Sequence, residues 1–145
     1  ASNGTTTFAA VNDLALPATP TDYTGSVTAV IGAVENATGE MVAVNQDTGA
    51  VIWDTPLPSS PFGAATLTND VVFTTTFTGY LYALDATNGA ILFKTPMSAA
   101  SNAPVAVDGD YVIAGAGEAM SSTQRNMIIA YKLGATGKLP DTVGS

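Results

Sequence analysis

The chain has 145 residues, the length of about one domain. It contains neither cysteine nor histidine, which excludes disulfides, thiolate and imidazole metal sites, and catalysis by a cysteine nucleophile or an imidazole base. The net charge of −8 would repel a phosphate backbone, so a nucleic acid is not an expected partner.

The first part of the chain, residues 1–25, is predicted to be an N-terminal segment or a partial strand region. It lacks the initiator methionine, basic stretch and apolar stretch of a signal peptide, and we interpret it as the start of a processed or excised segment. The N-x-[ST] sequons at Asn3 and Asn36 lie in turn-rich sequence and are candidate glycosylation sites. No apolar run reaches the roughly 18 residues that would predict a membrane span.

Charge is unevenly distributed along the sequence. Residues 1–93 contain eight acids and no base, whereas residues 94–145 contain four of each. We interpret the acidic part as a solvated surface. A cation-binding face stays open as an alternative, because hard cations such as Ca²⁺ prefer clustered oxygen ligands. The sequence has no calcium-loop motif to support that alternative.

An internal repeat organises the middle and the end of the chain. Residues 41–57 align with residues 81–97 at a constant offset of 40, without a gap. Residues 68–73 align with residues 108–113 at the same offset. A repeat of this length indicates an architecture built from one supersecondary unit in several copies.

Within one unit, short runs of β-branched and aromatic residues alternate with turn signals, and no segment has a helical apolar period. The predicted strands span 63–67, 71–76, 80–84 and 90–93. Four short strands in about 40–45 residues are typical of a propeller blade. We therefore expect an all-β fold of about three four-stranded antiparallel blades, too few to close a ring. The expected units are a partial blade at 26–57, a blade at 58–97, a degenerate terminal blade at 98–140 and a tail at 141–145.

The two strong copies share the pattern Ala-x-(Asp/Asn)-x-x-x-Gly-x-x-x-(Trp/Phe). Its residues are Ala43, Asn45, Gly49 and Trp53 in the first copy and Ala83, Asp85, Gly89 and Phe93 in the second. The Asn or Asp side chain can accept bonds from backbone amides of the next turn, and the glycine can adopt a positive φ. The alanine lets backbones approach, and the aromatic ring supplies a large surface between blades. We therefore assign the pattern a structural role.

This pattern resembles the docking motif of the quinoprotein, or PQQ-type, β-propeller repeat. In that family the motif ties the third strand of a blade to the fourth and docks the aromatic ring against the next blade. A longer stretch, about residues 39–133, is similar to the C-terminal blades of secreted PQQ-binding-like propeller proteins.

The third copy departs from the motif. Its strand, residues 128–133, follows at an offset of 47, and we expect the seven additional residues to form a loop around 118–126. Lys132 stands where the motif has an acid, and no aromatic residue follows Gly137. This departure suits a degenerate last blade.

The resemblance implies a possible redox function, with PQQ and calcium, for a complete parent protein. This chain lacks the vicinal cysteines that such enzymes often carry, and no motif assigns an aspartate as the base. We therefore predict no catalytic or metal-binding residue and no cofactor within this chain, and leave any cofactor-contacting residues unknown.

The first hypothesis for function is a non-catalytic scaffold and interaction segment of a secreted PQQ-like propeller. The alternatives are the C-terminal part of a PQQ- and calcium-dependent alcohol or sugar dehydrogenase, and a structural subunit of a cell-surface or extracellular assembly. The expected partners are the remaining blades of the same protein, or other copies or chains that complete the ring. The expected location is secreted, periplasmic or cell-surface.

Overall fold

The computed structural model describes residues 1–15 and 32–139, and this part of the chain is nearly all β, with 52% strand and 3% helix. The predicted tail at 141–145 lies outside the described residues. A single helical turn at 32–35 precedes the second strand. The strands of the described part are β1 (Thr6–Asp13), β2 (Thr38–Asn45), β3 (Val51–Leu57), β4 (Gly63–Thr68), β5 (Val71–Thr75), β6 (Tyr80–Asp85), β7 (Ile91–Pro96), β8 (Ala106–Asp108), β9 (Tyr111–Ala116) and β10 (Met127–Lys132).

These strands form three antiparallel sheets, each a meander of neighbouring strands. The first sheet has the order β1-β2-β3, the second β4-β5-β6-β7 and the third β10-β9-β8. The expectation of an all-β fold with antiparallel, blade-like sheets is therefore confirmed. That the ring is incomplete stays a prediction.

The strand registers reproduce the repeat of the sequence. Ala43 pairs with Trp53 in the first sheet, and Ala83 pairs with Phe93 in the second. A β-bulge follows the alanine in both sheets. The seven additional residues of the third copy lie in the connection between β9 and β10, as the shifted offset predicted.

The first strand of the first sheet, β1, lies within residues 1–25, which were predicted to be an N-terminal segment or a partial strand region. β1 pairs with β2 so that Thr6 lies opposite Asn45, as Val71 of β5 lies opposite Asp85. β1 therefore occupies the place of β5, although a long connection separates it from β2. Among the described residues, the first sheet has no counterpart of β4 and the third sheet has no counterpart of β7.

Two apolar clusters hold the three sheets together. The first cluster joins the first and second sheets and comprises Phe8, Met41, Ala43, Trp53, Leu57, Val72, Tyr82 and Leu84. The second joins the second and third sheets and comprises Leu81, Met97, Ala99, Val105, Ala114, Ala116 and Ile129. Burying a large aliphatic side chain such as Met41 contributes about 1.5–3 kcal/mol relative to leaving it exposed. The fold therefore depends on sheet-to-sheet packing.

A buried hydroxyl group and a backbone pair add polar contacts between the second sheet and its neighbours. The Oγ1 of Thr75 donates a hydrogen bond to the carbonyl of Ala103 at 2.9 Å, at the entry to the third sheet. The amide of Phe77 donates to the carbonyl of Ser60 at 3.0 Å, at the exit from the first. Because Thr75 and Ser60 are buried, each bond satisfies a polar group that would otherwise be costly to bury.

Candidate functional site: the contacts between sheets

Trp53 makes the most specific contact between two sheets. The strand β3 directs its ring toward the second sheet, where the side chain is only 8% exposed. Its Nε1 donates a hydrogen bond to the carbonyl oxygen of Ala86 at 2.9 Å. The ring of Phe8 packs against it in a tilted arrangement, with 5.9 Å between ring centroids. One side chain of the first sheet is thus fixed by both packing and a hydrogen bond.

Gly89 forms the floor of the surface that receives this ring. A Cβ at this position would lie 2.6 Å from Cε3 of Trp53, so that no larger residue fits beneath the indole. Its φ of +74° also favours glycine. The carbonyl of Gly89 accepts a hydrogen bond from Oγ1 of Thr55 at 2.7 Å. The turn between β6 and β7 is therefore a receiving turn for two side chains of β3.

The turn itself is built by the acid or amide at its start. The Oδ1 of Asp85 accepts a hydrogen bond from the amide of Thr87 at 2.7 Å, and the amide of Gly89 donates to the carbonyl of Asp85 at 2.9 Å. In the first sheet, Asn45 repeats this arrangement. Its Oδ1 accepts from the amide of Thr48 at 2.9 Å. Both turns follow from local sequence, because a short polar side chain folds back on the next amides.

The equivalents of Gly89 and Trp53 in the other copy of the motif are exposed. Gly49 has the same conformation as Gly89, with a φ of +73°, but a Cβ there would meet no atom within 4 Å. Phe93, the repeat equivalent of Trp53, is 49% exposed. In the third sheet, Leu133 is the equivalent of Ala86. Its amide donates a hydrogen bond to the carbonyl of Asp110 at 2.8 Å, as the amide of Ala86 donates to the carbonyl of Asp70. Leu133 is nevertheless 82% exposed. The docking of Phe93 stays a prediction.

An acidic group lies on the first sheet, on the side that faces away from the second. Val11 pairs with Glu40 and Val42 pairs with Asp54 across the strands, which sets both acids on this side. Desolvation by the surrounding sheet, and then the charges of Asp54 and Asp13, raise the pKa of the Glu40 carboxyl above its ordinary value. The interpretation of the acidic part as a solvated surface stays a prediction.

The cation-binding alternative gains no support from side-chain positions. Within residues 1–15 and 32–139, no three acidic side chains are placed to hold a metal ion. A cleft of about 340 Å³ lies beside the loop before β10, lined by Pro96, Met97, Ser98, Thr123, Gln124, Arg125, Met127 and Leu139. None of these lining residues is an acid that could bind calcium. The described residues therefore do not fit a PQQ–calcium site.

Lys94 shows how the second sheet accommodates a cation at its rim. Its Nζ lies 4.4 Å from the ring centroid of Tyr80 and 5.2 Å from that of Tyr82. A side-chain hydrogen bond with Tyr82 raises the pKa of Lys94, which opposes the smaller lowering by desolvation. Cation–π contacts at exposed sites contribute about 0.5–1 kcal/mol, so this group supports the rim of the sheet.

Both candidate glycosylation sites lie at the surface. The Oδ1 of Asn3 accepts a hydrogen bond from the amide of Thr6 at 2.9 Å. The Nδ2 of Asn36, the atom to which a glycan would be attached, donates to the carbonyl of Gly32 at 2.8 Å. Both side chains are exposed, and their modification stays a prediction.

None of the described helical structure is long and apolar enough to cross a membrane. The three stacked antiparallel sheets, with an aromatic ring docked on the turn of the next sheet, define a β-propeller architecture of the PQQ type. The chain belongs to the family described as "Outer membrane protein assembly factor BamB", whose model matches residues 37–137. The recognition of a PQQ-like propeller repeat from the sequence is therefore confirmed.

Two solved dehydrogenase structures show the same fold. Quinohemoprotein alcohol dehydrogenase ADHIIG from Pseudomonas putida HK5 aligns with 79% of this chain at 23% identity and a TM-score of 0.61. A europium-containing methanol dehydrogenase aligns with 67% at 22% identity and a TM-score of 0.53. BamB from Moraxella catarrhalis aligns with 57% at 24% identity and a TM-score of 0.47. No curated protein matches the chain.

The aligned part is a small share of each of these proteins. The chain covers 19% of the quinohemoprotein alcohol dehydrogenase, 21% of the methanol dehydrogenase and 28% of BamB. What those whole proteins do therefore does not follow for this chain from the shared fold.

Proposed function

We propose that this chain is a non-catalytic scaffold and interaction segment of a secreted PQQ-like β-propeller protein. The observation that carries the proposal is the docking of Trp53 on the turn of the next sheet, with its hydrogen bond to Ala86 and its ring on Gly89. In this proposal the two motif copies, from Ala43 to Trp53 and from Ala83 to Phe93, are docking elements between blades. The units at 26–57, 58–97 and 98–140 are the corresponding blades.

The chemistry of the described residues supports a role without catalysis. Asp13, Glu40 and Asp54 lie near one another on the first sheet, but no three described acids are placed to hold a metal ion. By contrast, large buried side chains and buried hydrogen bonds are concentrated between the sheets. The specific contacts of the described residues thus serve to pack the sheets against one another.

Partners and location follow from the same proposal. The partners are further blades, from the same protein or from other copies or chains, because blade faces remain open at both ends of the described stack. The family description names an outer membrane assembly factor, which supports a secreted, periplasmic or cell-surface location.

A second candidate function is that of the C-terminal part of a PQQ- and calcium-dependent alcohol or sugar dehydrogenase. The shared fold with two dehydrogenases favours this candidate. In this case PQQ and calcium would be held by residues of the parent protein other than those described, and this segment would still supply scaffold.

Calorimetric titration of the chain with PQQ in the presence of Ca²⁺ tests the proposal, with fluorescence of Trp53, the chain's one tryptophan, as a second readout. We expect neither heat nor quenching at micromolar ligand. Saturable binding that requires both PQQ and Ca²⁺, together with reduction of an artificial electron acceptor on addition of an alcohol, would overturn the non-catalytic role. Titration with Ca²⁺ alone is the control for adventitious binding to the acidic surface.

A further inference from the structure

The cleft beside the loop before β10 lies where the second and third sheets meet. One wall is the end of β7 and the link that follows it, residues 96–98, and the other is the end of the β9–β10 loop with the start of β10, residues 123–127. Leu139 completes the lining. Its volume of about 340 Å³ is within the range of small-molecule pockets, roughly 300–1,000 Å³. The cleft is therefore a feature of an internal contact between two sheets.

Hydrogen bonds hold the two walls of this cleft in place. The amide of Arg125 donates to the carbonyl of Ser98 at 3.1 Å, which ties the loop to the link. Within the loop, the amide of Met120 donates to Oε1 of Gln124 at 2.6 Å, and the amide of Gln124 donates to the carbonyl of Ser121 at 3.1 Å. The loop is thus bonded both to the opposite wall and to itself, so the cleft has defined sides.

Part of the lining is apolar. Met97 is a buried member of the apolar cluster between the second and third sheets, and Met127 and Leu139 pack against that cluster. All three side chains also line the cleft. Methionine side chains are flexible and polarizable, so they adapt to apolar groups of different shape. This part of the cleft suits the apolar body of a small ligand.

The polar part of the lining consists of hydrogen-bond donors. Arg125 is the one charged residue among those that line the cleft, and none of them is an acid. The oxygen of the Gln124 side chain is already bonded to an amide, which leaves its nitrogen as the group able to bond a ligand. The Oγ of Ser98 is buried and has no hydrogen-bond partner within the described part of the chain. A buried hydroxyl without a partner is costly, so a ligand oxygen beside it would be stabilised.

These donors select the charge of the ligand. A guanidinium recognises a carboxylate through two parallel N–H bonds, and it stays charged at any pH of interest. With a single cation in the lining, the cleft balances one negative charge and not two. The apolar side chains, in turn, favour an anion that carries an apolar group over a small inorganic anion.

We propose that this cleft binds a small organic monocarboxylate with an apolar body. The carboxylate is held by the guanidinium of Arg125 and the hydroxyl of Ser98, and the apolar body lies on Met97, Met127 and Leu139. The proposal goes beyond the proposed function, because it assigns a ligand to a site between two sheets whose role there is structural.

Titration of the 145-residue chain with phenylacetate tests this proposal, followed by nitrogen–proton NMR spectra in a buffer free of calcium and of other carboxylates. We expect saturable shifts concentrated at the amides of Ser98, Arg125 and Met127, with a Kd of about 1 mM or tighter for a ligand of this size. Phenylacetamide, which lacks the charge, and acetate, which lacks the ring, should each bind at least about 10-fold more weakly.

Two variants and a matched control locate the carboxylate. Arg125→Gln should weaken phenylacetate binding at least about 10-fold, and it keeps the bond to Ser98, which is made by the backbone amide. Ser98→Ala should weaken binding by about 2- to 5-fold. Lys132→Gln is the control, because it removes a cation of the third sheet that does not line the cleft, and it should bind like the wild type. Thermal melts followed by circular dichroism establish that each variant is folded.

Several results would overturn the proposal. The first is a titration without saturable shifts, or with shifts as large at Lys94 and Lys132 as at Arg125. The second is an Arg125→Gln variant that binds phenylacetate like the wild type. Inorganic phosphate that binds as tightly as phenylacetate would contradict the class of ligand, and so would a peptide with a C-terminal phenylalanine that binds more tightly. These titrations contain neither PQQ nor Ca²⁺, so this proposal and the proposed function can fail separately.

Discussion

The two copies of the docking motif have nearly the same sequence and backbone but opposite surroundings. Trp53 is 8% exposed and lies on Gly89, whereas Phe93 is 49% exposed. Conversely, Gly89 is covered by an indole ring and Gly49 faces open space, although their φ angles are +74° and +73°. The difference shows that each copy of the motif supplies an aromatic side chain and a receiving turn, which do not contact each other within the copy. A contact forms only where the next sheet supplies the other half.

The contrast between Trp53 and Phe93 predicts the largest difference in stability. Trp53→Ala removes a buried indole and should lower the free energy of unfolding by about 3–5 kcal/mol. Phe93→Ala removes a half-exposed ring and should cost less than about 1.5 kcal/mol. Urea unfolding followed by circular dichroism measures both. Equal losses for the two variants would show that Phe93 is docked in solution and would remove the distinction between the two copies.

Trp53→Phe sharpens this first prediction if the alanine variant fails to fold. It retains an aromatic ring at the position that the repeat fills with Phe93, but it removes the Nε1 donor to Ala86. We expect a loss of about 1–3 kcal/mol, because the carbonyl of Ala86 is left without this partner.

The receiving turns predict the next largest difference. Gly89→Ala forces a positive φ on alanine and sets its Cβ 2.6 Å from the ring of Trp53, so we expect a loss of at least about 3 kcal/mol. Gly49→Ala incurs only the backbone cost, about 1–2 kcal/mol. The same urea experiment compares them. If the two glycine variants lose equal stability, the ring of Trp53 does not rest on Gly89.

Much of this arrangement could be predicted from the sequence, since it depends on local chemistry. The offset of 40 predicts that the two copies share one arrangement, and the structure pairs Ala43 with Trp53 and Ala83 with Phe93, with a bulge after each alanine. The turns after Asn45 and Asp85 follow from short polar side chains that bond the next amides. Such features need only neighbouring residues to form.

Other features depend on distant residues, and the motif alone could not reveal them. β1 belongs to the first sheet, yet a long connection separates it from β2, so no repeat offset points to it. Phe93 is 49% exposed although Trp53, its repeat equivalent, is buried. Lys132, in the next sheet, stands where the other two turns begin with an acid or amide, and that departure was visible in the sequence. The exposure of Phe93 was not, because it depends on packing between sheets.

A hydroxyl group provides a smaller test of the same comparison. Thr55→Val removes the hydrogen bond to the carbonyl of Gly89 and should cost about 1–2 kcal/mol, because the carbonyl stays partly buried beside Trp53. Thr95 is its repeat equivalent on β7, and Thr95→Val should change stability by less than about 0.5 kcal/mol. Denaturant unfolding at several protein concentrations separates this effect from self-association. A loss at Thr95 as large as that at Thr55 would mean that β7 docks on a turn as β3 does.

The smallest expected effect concerns charge on the side of the first sheet that faces away from the second, where Glu40 and Asp54 lie. The folded state raises the pKa of Glu40, so it binds a proton more tightly than the unfolded state does. A charged Glu40 therefore lowers stability above its folded pKa, and this cost disappears as the pH falls below the ordinary pKa of a glutamate. Glu40→Gln should accordingly raise the melting temperature at about pH 7 and give no gain at about pH 3.5.

Added salt should reduce the gain at neutral pH, because it screens Asp13 and Asp54. Asp47→Asn, in an exposed turn, is the control for loss of net charge. A gain that persists in acid would contradict the electrostatic account, because the amide would then be stabilising the sheet by packing.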